Sequence, residues 1–382
     1  MELLILGWYI LTETHSVAML TVFASLTFIG TLIAPMVGVM ADRVGHRNVL
    51  GAMRGLYLTL SLTLMTLSFL GLLHPWLVLS LVFVFGLVKP SDIGMRNALI
   101  GETIPTNQLM GSMGIQRMTQ DAARITGALT GAGLVAALGM SYAYLLVASL
   151  YASATFLTFQ AGSGSPARPK AVEITSPWRD LKVGMVYTWK ERHLFGVMVL
   201  AVLLNATAFP TFVSLLPAAT KELFAGDQRL LGFLVASGAT GALVGSSVMT
   251  HFGRHLAPGR TMILASVMWH LAILAFVYMP TPGMAMLCLF VGGISQNACL
   301  IPMTGILLRH VAPAFRGRVM GIRMLAIYGN LPGLLLSGPL IVSLGYAPTV
   351  TLYCVFGIVC TLWITFRWRD DLWKRGATTN RV

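Results

Sequence analysis

Asp92 and Asp121 each place a carboxylate in an otherwise apolar stretch. A charge held in hydrocarbon is costly, so its default reading is functional. Asp92 stands between Lys89 and Arg96, and Asp121 between Arg117 and Arg124. Both are candidates for proton coupling or gating. The competing reading is a plain ion pair, because Asp92 and Arg96 have the favourable i,i+4 order on a helix. Four amides, Asn205, Gln296, Asn297 and Asn330, also lie inside apolar runs. They are candidates for a substrate pathway, although such amides equally bond one helix to another. His270, beside Trp269, either exchanges a proton near neutral pH or is simply packed. Pro210, Pro217, Pro302 and Pro332 are positions where a helix can kink and free a backbone group.

Other chemistries find no residues to carry them. His251 and His255 are i,i+4 but have no Glu between them, which removes a zinc-peptidase reading. The chain has no phosphate-binding glycine loop, nucleophile triad or carboxylate pair. Cys288, Cys299, Cys354 and Cys360 have neither CxxC spacing nor histidine partners, and read as packing residues. The expectation is a protein that is not an enzyme, with no cofactor and no metal.

The elements that hold these residues follow from composition. Of 382 residues, 56% are hydrophobic and 10% charged, against about 25% charged in soluble domains. That excludes a water-soluble enzyme and a disordered chain. Apolar runs fall at 1–12, 17–40, 49–73, 76–98, 108–138 and 142–160, then at 194–217, 230–250, 260–280, 283–307, 319–342 and 346–366. Most reach the ~20 residues that span a bilayer as a helix. Between the sets lies 161–193, which opens with AGSGSPARPK. It then places Trp178, Leu181, Met185 and Trp189 near one helical face among Arg179, Lys182, Lys190 and Arg192, the pattern of an amphipathic helix on a membrane surface.

The net charge of +13 would suggest nucleic acid on a soluble protein, but here it sorts by side. Loops on one side, from 41–54 to the tail 367–382, hold 24 of the 26 Lys and Arg, and the other side holds Lys221 and Arg229. Such asymmetry makes the rich side cytoplasmic, with the C-terminus on it.

The two halves resemble each other. Met95–Pro105 precedes Met303–Pro313 by 208 residues, Met113-Gly114-Ile115 precedes Met320-Gly321-Ile322 by 207, and Val37-Gly38 precedes Val244-Gly245 by 207. Gly45 and Gly253 share the 208 offset. The expected architecture is all-α and integral to the membrane: a six-helix bundle over 1–160, a cytoplasmic linker over 161–193, a second six-helix bundle over 194–366 and a cytoplasmic tail over 367–382. Two pseudo-symmetric bundles can rock about a central site. The run 1–12 would rise only ~18 Å as a helix, and the repeat offset carries the start of helix one back beyond Met1. The expectation is therefore a truncated first helix.

Between the second and third runs stands Gly38-Val-Met-Ala-Asp42-Arg43-Val-Gly45-His46-Arg47. It resembles the G-x-x-x-D-R-x-G-R-R loop of the major facilitator superfamily, with His46 in place of one arginine. Gly7–Thr12, Arg96–Leu99 with Glu102 and Pro105, and Arg316–Met320 are similar to the branch containing bacterial siderophore exporters of the enterobactin type. The resemblance implies secondary active export of a small amphipathic molecule, driven by proton entry, from a bacterial inner membrane. It also implies a cytoplasmic gate built on Gly38, Asp42, Arg43, Gly45 and Arg47, joined by Glu102. The implied partners are the small-molecule substrate, protons and lipid, with no nucleic acid and a monomeric state. Two departures stand out: helix five reads Arg124-Ile-Thr-Gly127-Ala128 without a Gly-Pro pair, and the second-half loop keeps Gly245 and Gly253 but has no Asp-Arg. An uptake permease of the same fold and a membrane scaffold or sensor remain the alternatives.

Overall fold

The computed structural model describes residues 1–103, 109–160, 185–189, 191–310, 323 and 325–369. Within these it does not describe the side chains at 32, 35, 38, 39, 42, 43, 93, 97, 98, 101–103, 109–114, 117, 193, 254 and 308–310. The described residues are helical throughout, joined by short turns. The first unit contains α1 (Glu2–Thr14), α2 (Val17–Leu26), α3 (Ala34–Val44), α4 (His46–Phe69), α5 (Pro75–Thr103), α6 (Leu109–Leu138) and α7 (Met140–Gln160). The second contains α8 (Arg192–Phe209), α9 (Leu216–Phe224), all but the first residues of α10 (Gln228–Phe252), α11 (Pro258–Val277), α12 (Pro282–His310), α13 (Asn330–Leu344) and α14 (Tyr346–Arg367). By contacts the units divide as Met1–Pro177 with Gly226–Gly232, and Trp178–Ala225 with Phe233–Val382. Among the described residues, nine helices are long and apolar enough to cross a membrane. Each of the twelve apolar runs holds a helix or a helix pair among the described residues.

Three runs are broken rather than continuous. The run at 17–40 divides into α2, a 3-10 turn over Ile29–Leu32, and α3. Thr27 and Thr31 turn their hydroxyls back onto the carbonyls of Ala24 and Phe28 at 2.7 and 2.6 Å, and Pro35 has no N–H with which to continue the helix ladder. The run at 194–217 breaks where Pro210 opens a π turn over Pro210–Ser214. Its wide ring closes with Leu215 N donating to Pro210 O at 3.0 Å. The run at 319–342 enters α13 through a 3-10 turn at Ala326–Gly329. The proline expectation therefore holds at Pro210, whereas Pro302 lies inside α12 without ending it.

In the first unit α4 packs along α7 and α5. Its buried stripe is Val49, Leu50 and Met53 against Ala41 and Met95, then Tyr57 and Leu60 against Phe85. Gly45, with φ of 95°, makes the turn between α3 and α4 in a region that side chains rarely adopt. In the second unit α11 packs on α12 and α14, and α8 on α13 and α14. Trp269 and Phe276 are the large side chains sealed between them.

Candidate functional site

The first unit assembles a polar cluster from four helices. α1 supplies Glu2, which is 9% exposed. α7 supplies Tyr151, whose hydroxyl donates to Glu2 Oε2 at 2.9 Å. Tyr57 of α4 lies with its ring centroid 5.5 Å from that of Tyr151 and 4.8 Å from that of Phe85. Lys89 of α5 places its Nζ 5.6 Å from the Phe85 ring centroid and 5.9 Å from that of Phe28, within cation–π range. A cavity of about 420 Å³ is lined by Glu2, Phe85, Lys89 and Tyr151 together with Met1, Leu3 and apolar side chains of α7. A carboxylate, a phenol and an ammonium thus share one cavity within an apolar bundle. The carboxylate can take up a proton, the phenol can follow that change by keeping or losing its acceptor, and the ammonium can offset a negative charge.

Asp92 forms the ion pair that its spacing predicts, with Arg96 Nη2 2.8 Å from Asp92 Oδ2. Asp121 is buried in α6 at 4% exposure. Of the loop motif, Gly45 turns the chain as above, and Arg47 reaches across to the end of α7. Its Nε donates to Thr158 O at 3.3 Å, and its Nη2 donates to Phe159 O. Two turns on along α4, Arg54 donates through Nη1 to Ala154 O at 3.1 Å and to the Thr158 hydroxyl. The last carbonyls of a helix have no partner within it and carry the negative end of its dipole. Arg47 therefore closes the end of α7, and Arg54 ties α4 to the turn before it. Gly38 lies in α3, and the side chains of Asp42, Arg43 and Glu102 are outside what the structure describes, as is the gate they would form.

In the second unit the amides tie helices together. Asn330 Nδ2 donates to Asn205 Oδ1 at 3.0 Å, joining α13 to α8. Asn205 Nδ2 donates in turn to Ala201 O at 2.8 Å within α8. Asn297 Nδ2 donates to Ala242 O at 2.6 Å and to Ser246 Oγ at 2.7 Å, joining α12 to α10. Gln296 beside it is 2% exposed, and its Oε1 has no partner among the described residues. His270 is fully enclosed. Its Nδ1 donates to Ser266 O at 2.8 Å, since a carbonyl can only accept, and its Nε2 faces Thr207 Oγ1 at 2.9 Å.

Glu2, Tyr151 and Arg54 were not among the candidates drawn from sequence, and Lys89 figured only as a neighbour of Asp92. For Glu2 the signal was present: an acidic residue at one end of the apolar run 1–12. Its partner stands 149 residues away, and nothing in sequence points from one to the other.

The chain matches the family described as transmembrane secretion effector over residues 7–366. It is 25% identical over 324 residues to the enterobactin exporter EntS of Escherichia coli O1:K1 / APEC, covering 81% of this chain and 73% of the relative. The same figures hold for EntS of Shigella boydii serotype 4. Its fold is that of the nucleoside transporter NupG, with a TM-score of 0.70 at 15% identity over 97% of this chain and 94% of NupG. A point mutant of NupG gives a TM-score of 0.73 with the same coverage. The protein therefore belongs to the transmembrane secretion effector family, and is a transporter of the major facilitator superfamily.

Proposed function

We propose that this transporter exports a small amphipathic molecule in exchange for protons by alternating access of its two bundles. The observation that carries the reading is the Glu2 carboxylate, bonded to Tyr151 and sharing a cavity with Lys89. A carboxylate in an apolar bundle is costly when charged, so protonation changes what the surrounding helices tolerate. A coupling ion acts only through its different affinity for the two orientations, and the cavity beside Glu2 is where access to the carboxylate can change between them. Asp92 and Asp121 remain coupling candidates alongside it. Asn205, His270, Gln296, Asn297 and Asn330 remain candidates for the substrate pathway, with their present bonds as the competing role. The Gly38–Arg47 loop with Glu102 is the proposed cytoplasmic gate. The similarity to EntS favours outward transport, and enterobactin is the first cargo to try. The proposed setting is a bacterial inner membrane, with a monomeric protein whose cation-rich loops and C-terminus face the cytoplasm.

The test is proton movement in everted membrane vesicles carrying the full chain. Adding enterobactin, or each of a panel of amphipathic solutes, should release protons from acidified wild-type vesicles. Glu2→Gln should bind the same solute without proton release. If no solute moves protons through the wild-type protein, the exchange mechanism is wrong. Solute accumulation in cells expressing the protein would indicate uptake instead.

A further inference from the structure

We propose that the second unit carries a binding surface for anionic phospholipid, built where the segment before α8 meets the end of α14. The short helical stretch 185–189 turns Thr188 inward, at 4% exposure, and leaves Met185, Val186 and Trp189 outward at 41, 43 and 65%. Apolar side chains on the outer side of such a segment need a cover, and water is a poor one. Trp189 is the first rung of an aromatic ladder. Its ring centroid is 6.1 Å from that of Phe195, Phe195 is 5.9 Å from Trp368, and Trp368 is 5.8 Å from Trp363. Trp368 is enclosed at 8% exposure, whereas Trp363 and Phe366 are exposed at 58 and 81%. The ladder thus binds the pre-α8 segment to the end of α14 and presents large apolar rings outward at both ends.

Tryptophan rings with an apolar body and a polar edge settle at the headgroup level of a bilayer. The charge beside them selects the headgroup. Arg367 lies with its guanidinium 5.6 Å from the Trp368 ring centroid, and Arg192, Arg367 and Arg369 are all exposed. Glu191, also exposed, is the acidic side chain of this region among the described residues. A surface of outward rings and arginines at the end of two membrane helices matches a phosphate headgroup without a compensating cation. Guanidinium groups bind phosphate oxygens in bidentate fashion, and cations near an anionic leaflet are attracted to it. The occupant is a phospholipid of net negative charge, held at the cation-rich face. This goes beyond transport and does not depend on which solute is carried.

The test uses the full chain in vesicles of phosphatidylcholine with brominated phosphatidylglycerol or brominated phosphatidylcholine. Tryptophan emission should be quenched more by the anionic lipid, with a preference on the order of fivefold. A W189F/W363F variant should lose most of that preferential quenching, which would place it at the ladder. R192Q/R367Q/R369Q should bring the two lipids level, whereas K221Q/R229Q should leave the preference unchanged. Equal quenching of the wild-type protein would overturn the proposal. So would an unchanged preference in the three-arginine variant, or its equal loss in K221Q/R229Q.

Discussion

Gly86 of α5 lies directly against the backbone of Leu26 at the end of α2, so closely that a Cβ on Gly86 would overlap the Leu26 carbonyl. The second unit repeats the arrangement. Gly293 of α12 lies against the backbone of α10, where its Cβ would meet the Gly238 carbonyl and would stand 2.6 Å from Ala242 N. Gly86 and Gly293 are 207 residues apart, and Gly30 and Gly238 are 208 apart. These are the offsets that the loop motifs share, so the internal repeat extends to an individual helix crossing. Without a solvent to drive apolar faces together, membrane helices associate through such close backbone approach.

Gly86→Ala and Gly293→Ala should therefore destabilise the protein by similar amounts, about 1–3 kcal/mol each from overpacking. Gly133→Ala has open space around it and should be neutral or stabilising, because alanine is the better helix former by about 1 kcal/mol. Thermal unfolding of detergent-purified variants measures all three. Equal behaviour of Gly86→Ala and Gly133→Ala would mean that the crossing can relax.

The Asn205–Asn330 bridge should behave as a pair. Removing either amide leaves the other with one bond fewer inside the bundle, so Asn205→Ala and Asn330→Ala should each lower stability. The double variant should cost less than their sum. Interhelical bonds in membranes are worth about 0.6 kcal/mol on average, so a coupling of that order is expected from a double-mutant cycle read by thermal or denaturant unfolding. Asn330 adjoins Gly329, whose Cβ would come within 2.6 Å of Val202 O, so α8 and α13 already lie in contact. A coupling near zero would return both amides to the substrate-pathway reading.

Arg54 should hold α7 just before its end. Charge-assisted bonds of this kind contribute about 1.5–3 kcal/mol, shared here between the Ala154 carbonyl and the Thr158 hydroxyl. Arg54→Gln should raise hydrogen exchange over residues 154–160 while leaving the amides near Tyr144 protected. Arg54→Lys should restore part of the protection, since both acceptors are served by the one nitrogen Nη1, and an ammonium has donors for both but a different reach.

How far these features could be read in advance depends on whether their cause is local. The helices are legible because each one is a run of apolar residues, and Pro210 marks its own break by lacking an N–H. The i,i+4 pair of Asp92 and Arg96 is legible for the same reason, being contained within one helix. Glu2 with Tyr151, Arg47 with Phe159 and Asn205 with Asn330 are not, because residue type announces a need for a partner but not its address. The division of 17–40 into two helices escapes a hydropathy reading, which is blind to threonines that bond back onto their own turn. The Gly86 and Gly293 crossings were within reach, since both obey the repeat offset, but a glycine in an apolar run draws no notice until its neighbour is known.

The His270 cluster gives the sharpest test of packing against chemistry. The imidazole fits between α8, α11 and α14 because position 357 has no side chain: a Cβ there would overlap His270 Nε2. The same nitrogen faces Thr207, whose hydroxyl also lies 2.8 Å from Leu203 O, so one proton serves two acceptors. Gly357→Ala should push the ring off Thr207 and destabilise the bundle by about 1–3 kcal/mol. His270→Ala should also destabilise it, by opening a cavity and leaving the Ser266 carbonyl with one bond fewer. The two together should cost less than their sum, because the methyl group enters space the ring has vacated. If His270 only packs, the double variant should recover transport as well as stability. If it recovers stability and transport stays lost, the imidazole has a role in the cycle that packing does not supply.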